Sequence, residues 1–101
     1  MTIVNVDQVI VDLAGNPVME TENSDLTLKG VCVTSILKLD GEITPAEKME
    51  RGRLSMKIWE GGELEFAAEE ISLLKKLVGE YISHPLVYMR AVDMLDPKAK
   101  D

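Results

Sequence analysis

Alternating apolar and polar positions mark the start of the chain, and helical spacing marks the rest. Val9 and Val11 alternate with Ile10 and Asp12 ahead of the turn-forming AGNP at residues 14–17. Gly15 can take a positive φ, and Pro17, which lacks an N–H, suits the start of a strand. The pattern predicts two short strands, about residues 8–13 and 17–21, joined as a hairpin, with the first few residues extended as well. A two-stranded hairpin is marginal alone, so it must lie on something.

Helix signals are densest in ITPAEKMERGRLSMKIWEGG, residues 43–62. Thr44 can accept a hydrogen bond from the Glu47 N–H, Pro45 suits the first helical position, and Glu47 completes a capping box. Gly61 and Gly62 offer a left-handed stop, so the spacing predicts a helix over 45–59. Gly52 inside it costs about 1 kcal/mol against Ala and is a candidate for a close contact. A further helix is predicted over 68–82. Ile71, Leu74, Val78 and Tyr81 form its stripe, Leu73, Leu77 and Ile82 widen it, and Glu69 and Glu70 favour the dipole in its first turn. His84 and Pro85 then punctuate the chain.

The last helix, about 85–95, has Leu86, Val87, Tyr88, Met89, Ala91, Val92, Met94 and Leu95 around most of its axis. A helix this apolar is either the central one or covered by a partner. Residues 26–38, LTLKGVCVTSILK, carry both periods: Leu26, Leu28, Cys32 and Ile36 fit a strand, whereas Leu26, Val33, Ile36 and Leu37 fit one helix face. Thr27 as N-cap, Leu26 as a hydrophobic staple and Gly41 as a stop favour a helix over 27–38. The expected fold class is therefore α+β: one domain over 1–101, with an acidic β-hairpin segment (1–25) packed on a core of four helices (26–95) and a frayed tail (96–101).

Composition adds limits. The chain has 101 residues, is 46% hydrophobic and 29% charged, and carries a net charge of −7, which fits an ordinary globular protein. Asp7, Asp12, Glu20, Glu22 and Asp25 precede any Lys or Arg, so the N-terminal quarter repels phosphate backbones. Nucleic acid is not an expected partner. No apolar run is long enough to span a bilayer and no signal-peptide pattern opens the chain, so the expected place is the cytoplasm, with no membrane contact. Cys32 is alone in an apolar run, which rules out an internal disulfide and suits a small core residue.

The order LTL…V…ILK, then EKMERGRLSMKI, then LEFAAEEISLLKKLVGEY, then PLV leading into an apolar helix resembles a family of small, mostly uncharacterised proteins encoded by tailed bacteriophages and prophages. The likeness covers most of residues 26–95 and leaves out the hairpin. In similar proteins an acidic residue often stands near the position of Gly30 and a Thr where this chain has Ala67; losing that hydroxyl weakens a helix cap by about 1 kcal/mol. The resemblance implies a phage origin, with a role in virion assembly or host takeover and the host cytoplasm or the virion as its place. It implies no active site.

Candidate chemistry is sparse. Glu60, Glu63, Glu65, Glu69 and Glu70 could supply paired carboxylates or oxygen ligands for a metal, but the segment lacks a calcium-loop pattern and is read as a solvated loop plus helix start. Glu65 and Glu69 are the pair on which a small hydrolase would rest. His84 is the only histidine and fits a structural loop position. No cofactor, metal or small-molecule ligand is expected. Met49, Met56, Met89 and Met94 suit an adaptable surface or a core, and the core is the expectation; Trp59 fits either an interface anchor or inward packing on the third helix. The leading expectation is a non-enzymatic protein that works by protein contact, through self-association or as an assembly factor. Its expected interface is Trp59, Leu86, Tyr88, Met89, Val92 and Leu95. The alternative is an inhibitor that presents Asp12, Glu20, Glu22 and Asp25 to a basic host surface.

Overall fold

The computed structural model describes residues 2–38 and 42–96. In chain order the elements are β1 (Thr2–Asn5), β2 (Met19–Thr21), β3 (Ser24–Asp25), α1 (Leu28–Leu37), α2 (Pro45–Trp59), β4 (Glu63–Phe66), α3 (Ala68–Tyr81) and α4 (Pro85–Leu95). Four helices and short antiparallel strand pairs make this an α+β fold, as expected. The expected Gly41 stop and the tail after Asp96 lie outside the described residues.

Residues 26–38 are helical from Leu28, and Thr27 is the N-cap: its hydroxyl accepts the Gly30 N–H at 3.2 Å. The β-branched Val31 and Ile36 cost a little helix propensity, but both are buried, and burial outweighs propensity. Leu28, Val31, Cys32, Ser35 and Ile36 recur at helical spacing and turn inward. Ser35, buried among them, donates to the Val31 carbonyl at 2.9 Å, so its hydroxyl is satisfied. α1 packs against α2, α3 and α4 and is the central helix. That role was open to the last helix in the sequence reading. α4 instead lies on the outside, with Val87, Ala91 and Leu95 turned to the core.

The N-terminal strands pair differently from the expected hairpin. Val11 and Pro17 form only an isolated bridge, and β2 pairs with β3 rather than with residues 8–13. Ile10 explains the difference. Its N–H donates to Leu26 O, Leu26 N–H donates to Val18 O, and Val18 N–H donates to Ile10 O, at 2.7–2.8 Å. Three segments thus close a ring of hydrogen bonds, so residue 10 is shared between two neighbours and its segment builds no ladder with either. Ile10 is completely buried. At the turn, Asp12 accepts from the Ala14 and Asn16 N–H groups, both at 2.9 Å, while Arg90 of α4 donates to the Asp12 carbonyl.

Residues 63–66, expected in a loop, form β4 and pair antiparallel with β1 in the register Thr2↔Phe66, Ile3↔Glu65, Val4↔Leu64 and Asn5↔Glu63. Leu64 and Phe66 face inward with Val4, and Glu63 and Glu65 face water with Ile3. The α2–β4 link depends on Gly61 (φ 79°) and Gly62 (φ 76°), a conformation that costs other residues about 1–2 kcal/mol. A Cβ on Gly61 would come within 3.0 Å of Asp7 Oδ1, and that carboxylate accepts the Gly62 N–H at 2.8 Å. Gly61→Ala is expected to lower stability by about 1–3 kcal/mol. Gly52→Ala, inside α2 with nothing within 4 Å of the new methyl, should raise it by up to about 1 kcal/mol. Urea unfolding of the two variants would check the opposite signs.

α2 starts as predicted: Thr44 accepts the Glu47 N–H at 3.1 Å and Pro45 opens the first turn. α3 lacks a capping hydroxyl at Ala67, yet half of the box survives, because the Glu70 carboxylate accepts the Ala67 N–H at 2.8 Å.

Candidate functional site

α2 turns Leu54 and Ile58 into the core, which leaves Met56 and Trp59 outside at 74% and 66% exposure. Beside them, Val33 and Leu37 extend from the outer side of α1. Together with Arg53, Ser55, Lys57 and Glu60 they line an open groove of about 720 Å³. Two lysines flank it in different ways. Lys29 holds its ammonium 4.7 Å from the centroid of the Trp59 ring and donates to the Trp59 carbonyl at 3.5 Å, which orients the indole by a cation–π contact. Lys57 turns away toward β4 and α3: it donates to the Glu65 carbonyl, pairs with Glu70 at 3.3 Å and caps the Phe66 ring at 4.5 Å. Its charge is spent inside the chain. Arg53 and Glu60 are exposed and, among the described residues, have no ion-pair partner.

Such a groove, apolar at the centre and charged at the rim, has the anatomy of a protein-binding surface. Compared with family models, with curated proteins and with solved structures, the chain matches none. Its function must be argued from the surface itself.

Of the six expected interface residues, the structure brings only Trp59 to this groove. Tyr88 and Met89 are exposed on α4 at 39% and 46%, and Leu86 and Val92 are half-buried. The Tyr88 ring is partly occupied within the chain, lying where a Cβ on Gly79 of α3 would meet it at 3.3 Å. Leu95 is completely buried and is a core residue, a correction to the interface reading. The methionine expectation is also corrected. Met49, Met56 and Met89 are exposed, and only Met94 packs against the core. Met56 was misplaced because Leu54 and Ile58 already fill the inward side of its helix.

The four acids do not form one patch. Asp12 is half-buried with its carboxylate tied into the turn, which leaves the acidic-inhibitor reading only Glu20, Glu22 and Asp25, exposed on the β2–β3 hairpin, to stand on. Glu20 Oε2 lies 3.4 Å from where a Cβ of Gly30 would be, so it brings negative charge to the first turn of α1. Glu65 and Glu69 are both exposed, and neither has the apolar surroundings that paired carboxylate catalysis needs. His84 caps α4, its Nδ1 accepting the Val87 N–H. Cys32 is completely buried, and burial pushes its thiol up to about 12. No helix among the described residues is long and apolar enough to cross a membrane.

Sequence reasoning missed Val33, Leu37 and Met56. One signal was available: Met49, Gly52, Met56 and Trp59 repeat at spacings of three, four and three along a helix whose other side already held its core residues.

Proposed function

We propose that this chain is a non-enzymatic protein, encoded by a tailed phage or prophage, that acts by binding protein, either a further copy of itself or another component of virion assembly. The binding face is the groove between α1 and α2, and not α4. The observation that carries the reading is the joint exposure of Met56, Trp59 and Leu37 around one open groove. Aromatic and methionine side chains are enriched at protein interfaces, and Trp is a frequent anchor there. The cation–π contact from Lys29 supports the same reading, since a ring held in place before binding loses less freedom on binding.

A photo-crosslinking amino acid placed at Met56, with a second chain carrying it at the hairpin residue Glu22, tests this in the host cell. Covalent products are expected from position 56 and not from position 22. If position 56 yields nothing beyond the free chain, binding through this groove is excluded.

A further inference from the structure

The outer side of α2 is organised as a seam. At about 100° per residue, Met56 and Met49 lie near its centre, Gly52 and Trp59 lie together on the flank toward α1, and Arg53 and Glu60 lie together on the opposite flank. Gly52 has no explanation within the chain. It is inside a helix, it has an ordinary negative φ, and a Cβ there would meet nothing within 4 Å. A glycine in open space leaves a shallow hollow on the helix surface, seven positions, or about two turns, before the exposed Trp59 indole on the same flank.

We infer that two copies of the chain associate through antiparallel α2 helices about a two-fold axis passing near Met56. This rests on the proposed groove reading and names the partner. The symmetry decides which flanks meet. A two-fold axis perpendicular to two antiparallel helices keeps like flanks together, so the α1-side flank of one copy faces the α1-side flank of the other. With Met56 on the axis, the Trp59 ring of each copy falls over the partner's Gly52, beside the partner's Leu37. The hollow is then filled by the partner's exposed indole. On the other flank Arg53 falls opposite the partner's Glu60, and Glu60 opposite the partner's Arg53. The two residues are of opposite charge and equidistant, within one position, from the axis. The surface is therefore self-complementary in shape and in charge, as an isologous interface requires. A parallel two-fold pairing would bring unlike flanks together, setting Arg53 and Glu60 against the partner's Gly52 and Trp59 and leaving the opposite charges unpaired.

The seam is one helix of 15 residues, roughly 22 Å long, with a strip of α1 alongside. That is small for an obligate dimer, so the association is expected to be reversible with a Kd in about the micromolar range. Sedimentation velocity from about 1 μM to 1 mM should show a monomer passing to a dimer. Arg53→Glu should weaken the dimer by about tenfold or more, and Arg53→Glu with Glu60→Arg should restore it. Both sites are exposed, so circular dichroism should show the fold unchanged. Gly52→Leu should also weaken it, because the hollow is closed while the helix is not harmed. Orientation is read from disulfides: Met56→Cys should cross-link two copies on mild oxidation, and Met49→Cys, roughly 20 Å from its counterpart in the antiparallel pair, should not. The buried Cys32 does not compete.

A strict monomer over the whole range, failure of the charge reversal to restore association, or cross-linking through Met49→Cys would overturn the antiparallel dimer. The broader reading fails differently. A monomer whose Met56 photo-probe still captures a heavier product in the cell retains the groove as a binding surface and loses only the second copy; a monomer that captures nothing loses both.

Discussion

Phe66→Ala is expected to destabilise the fold by about 3–5 kcal/mol, the largest loss of any single truncation in β1 or β4. Phe66 is completely buried, and three separate arrangements depend on it. Its backbone closes the β1–β4 pair opposite Thr2, its ring fills the space between that pair and the helices, and its face carries the Lys57 ammonium at 4.5 Å. Truncation leaves a cavity and also removes the apolar surface on which Lys57 rests while it reaches Glu70 and the Glu65 carbonyl. A domain of this size has only about 5–15 kcal/mol in total, so a large part of the margin goes, and the thermal midpoint should fall by more than about 12 °C. Ile3 serves as the control. It lies on the same strand pair with its side chain in water, 67% exposed, and Ile3→Ala should change stability by less than about 1 kcal/mol. Urea titrations of the two variants decide the matter: a loss below about 1.5 kcal/mol for Phe66→Ala would mean that β4 is an accessory strand rather than a core one.

What was legible in the chain follows from how local each signal is. Thr44, Pro45 and Glu47 determine the start of α2 within four residues, and Thr27 does the same for α1. Caps depend on their own turn, so sequence shows them. β4 is the opposite case. Its four residues ELEF hold two apolar side chains among acids, and what makes them a strand is β1, some sixty positions earlier. No local pattern carries that pairing. The ring through Ile10, Val18 and Leu26 was missed for the same reason, since a residue that bonds to two distant segments gives the alternation of a hairpin without forming one.

The surface was harder still. Periodicity tells which residues share a face of a helix but not which face turns inward, and α4 illustrates the limit. Leu95 and Tyr88 look equivalent along an all-round apolar helix, yet Leu95 is buried and Tyr88 is exposed at 39%. α1, read as an ordinary helix, is the one that packs most extensively on α2 and α3, and it reaches α4 as well. With α1 at the centre, α4 needs no partner to cover it, and the helical apolar side chains left most uncovered are on α2. There the inward side is settled by Leu54 and Ile58, and Met49, Met56 and Trp59 are left over. A surplus of apolar residues on a helix with its core side already filled is a sharper sign of an interface than high apolar content alone.

The α1 position at the centre also gives a titration that is visible from outside. Wild-type stability is expected to fall by about 1.4 kcal/mol for each pH unit above about 9, through Cys32 alone. The Cys32 thiol is completely buried, and desolvation raises it from 9.0 to about 12, so the native state keeps the proton well into alkaline solution. The unfolded chain releases it near the ordinary value. Between about 9 and 12 the unfolded state therefore holds fewer protons than the native one, and stability declines as pH rises until the native thiol itself ionises. Below about 9 the thiol is protonated in both states and contributes no slope. Other groups titrate in the same range, and Cys32→Ala isolates the contribution. At neutral pH the variant should be less stable than wild type by about 1–2 kcal/mol, the cost of a small cavity beside Leu28 and Ile36. That gap should close by about pH 10 and then change sign, because alanine has no proton to lose. Urea unfolding of both chains at a series of pH values from 7 to about 11 checks the crossing. Parallel curves with a constant gap would show that water reaches the Cys32 sulfur, and that the centre of the four-helix core is looser than its packing implies.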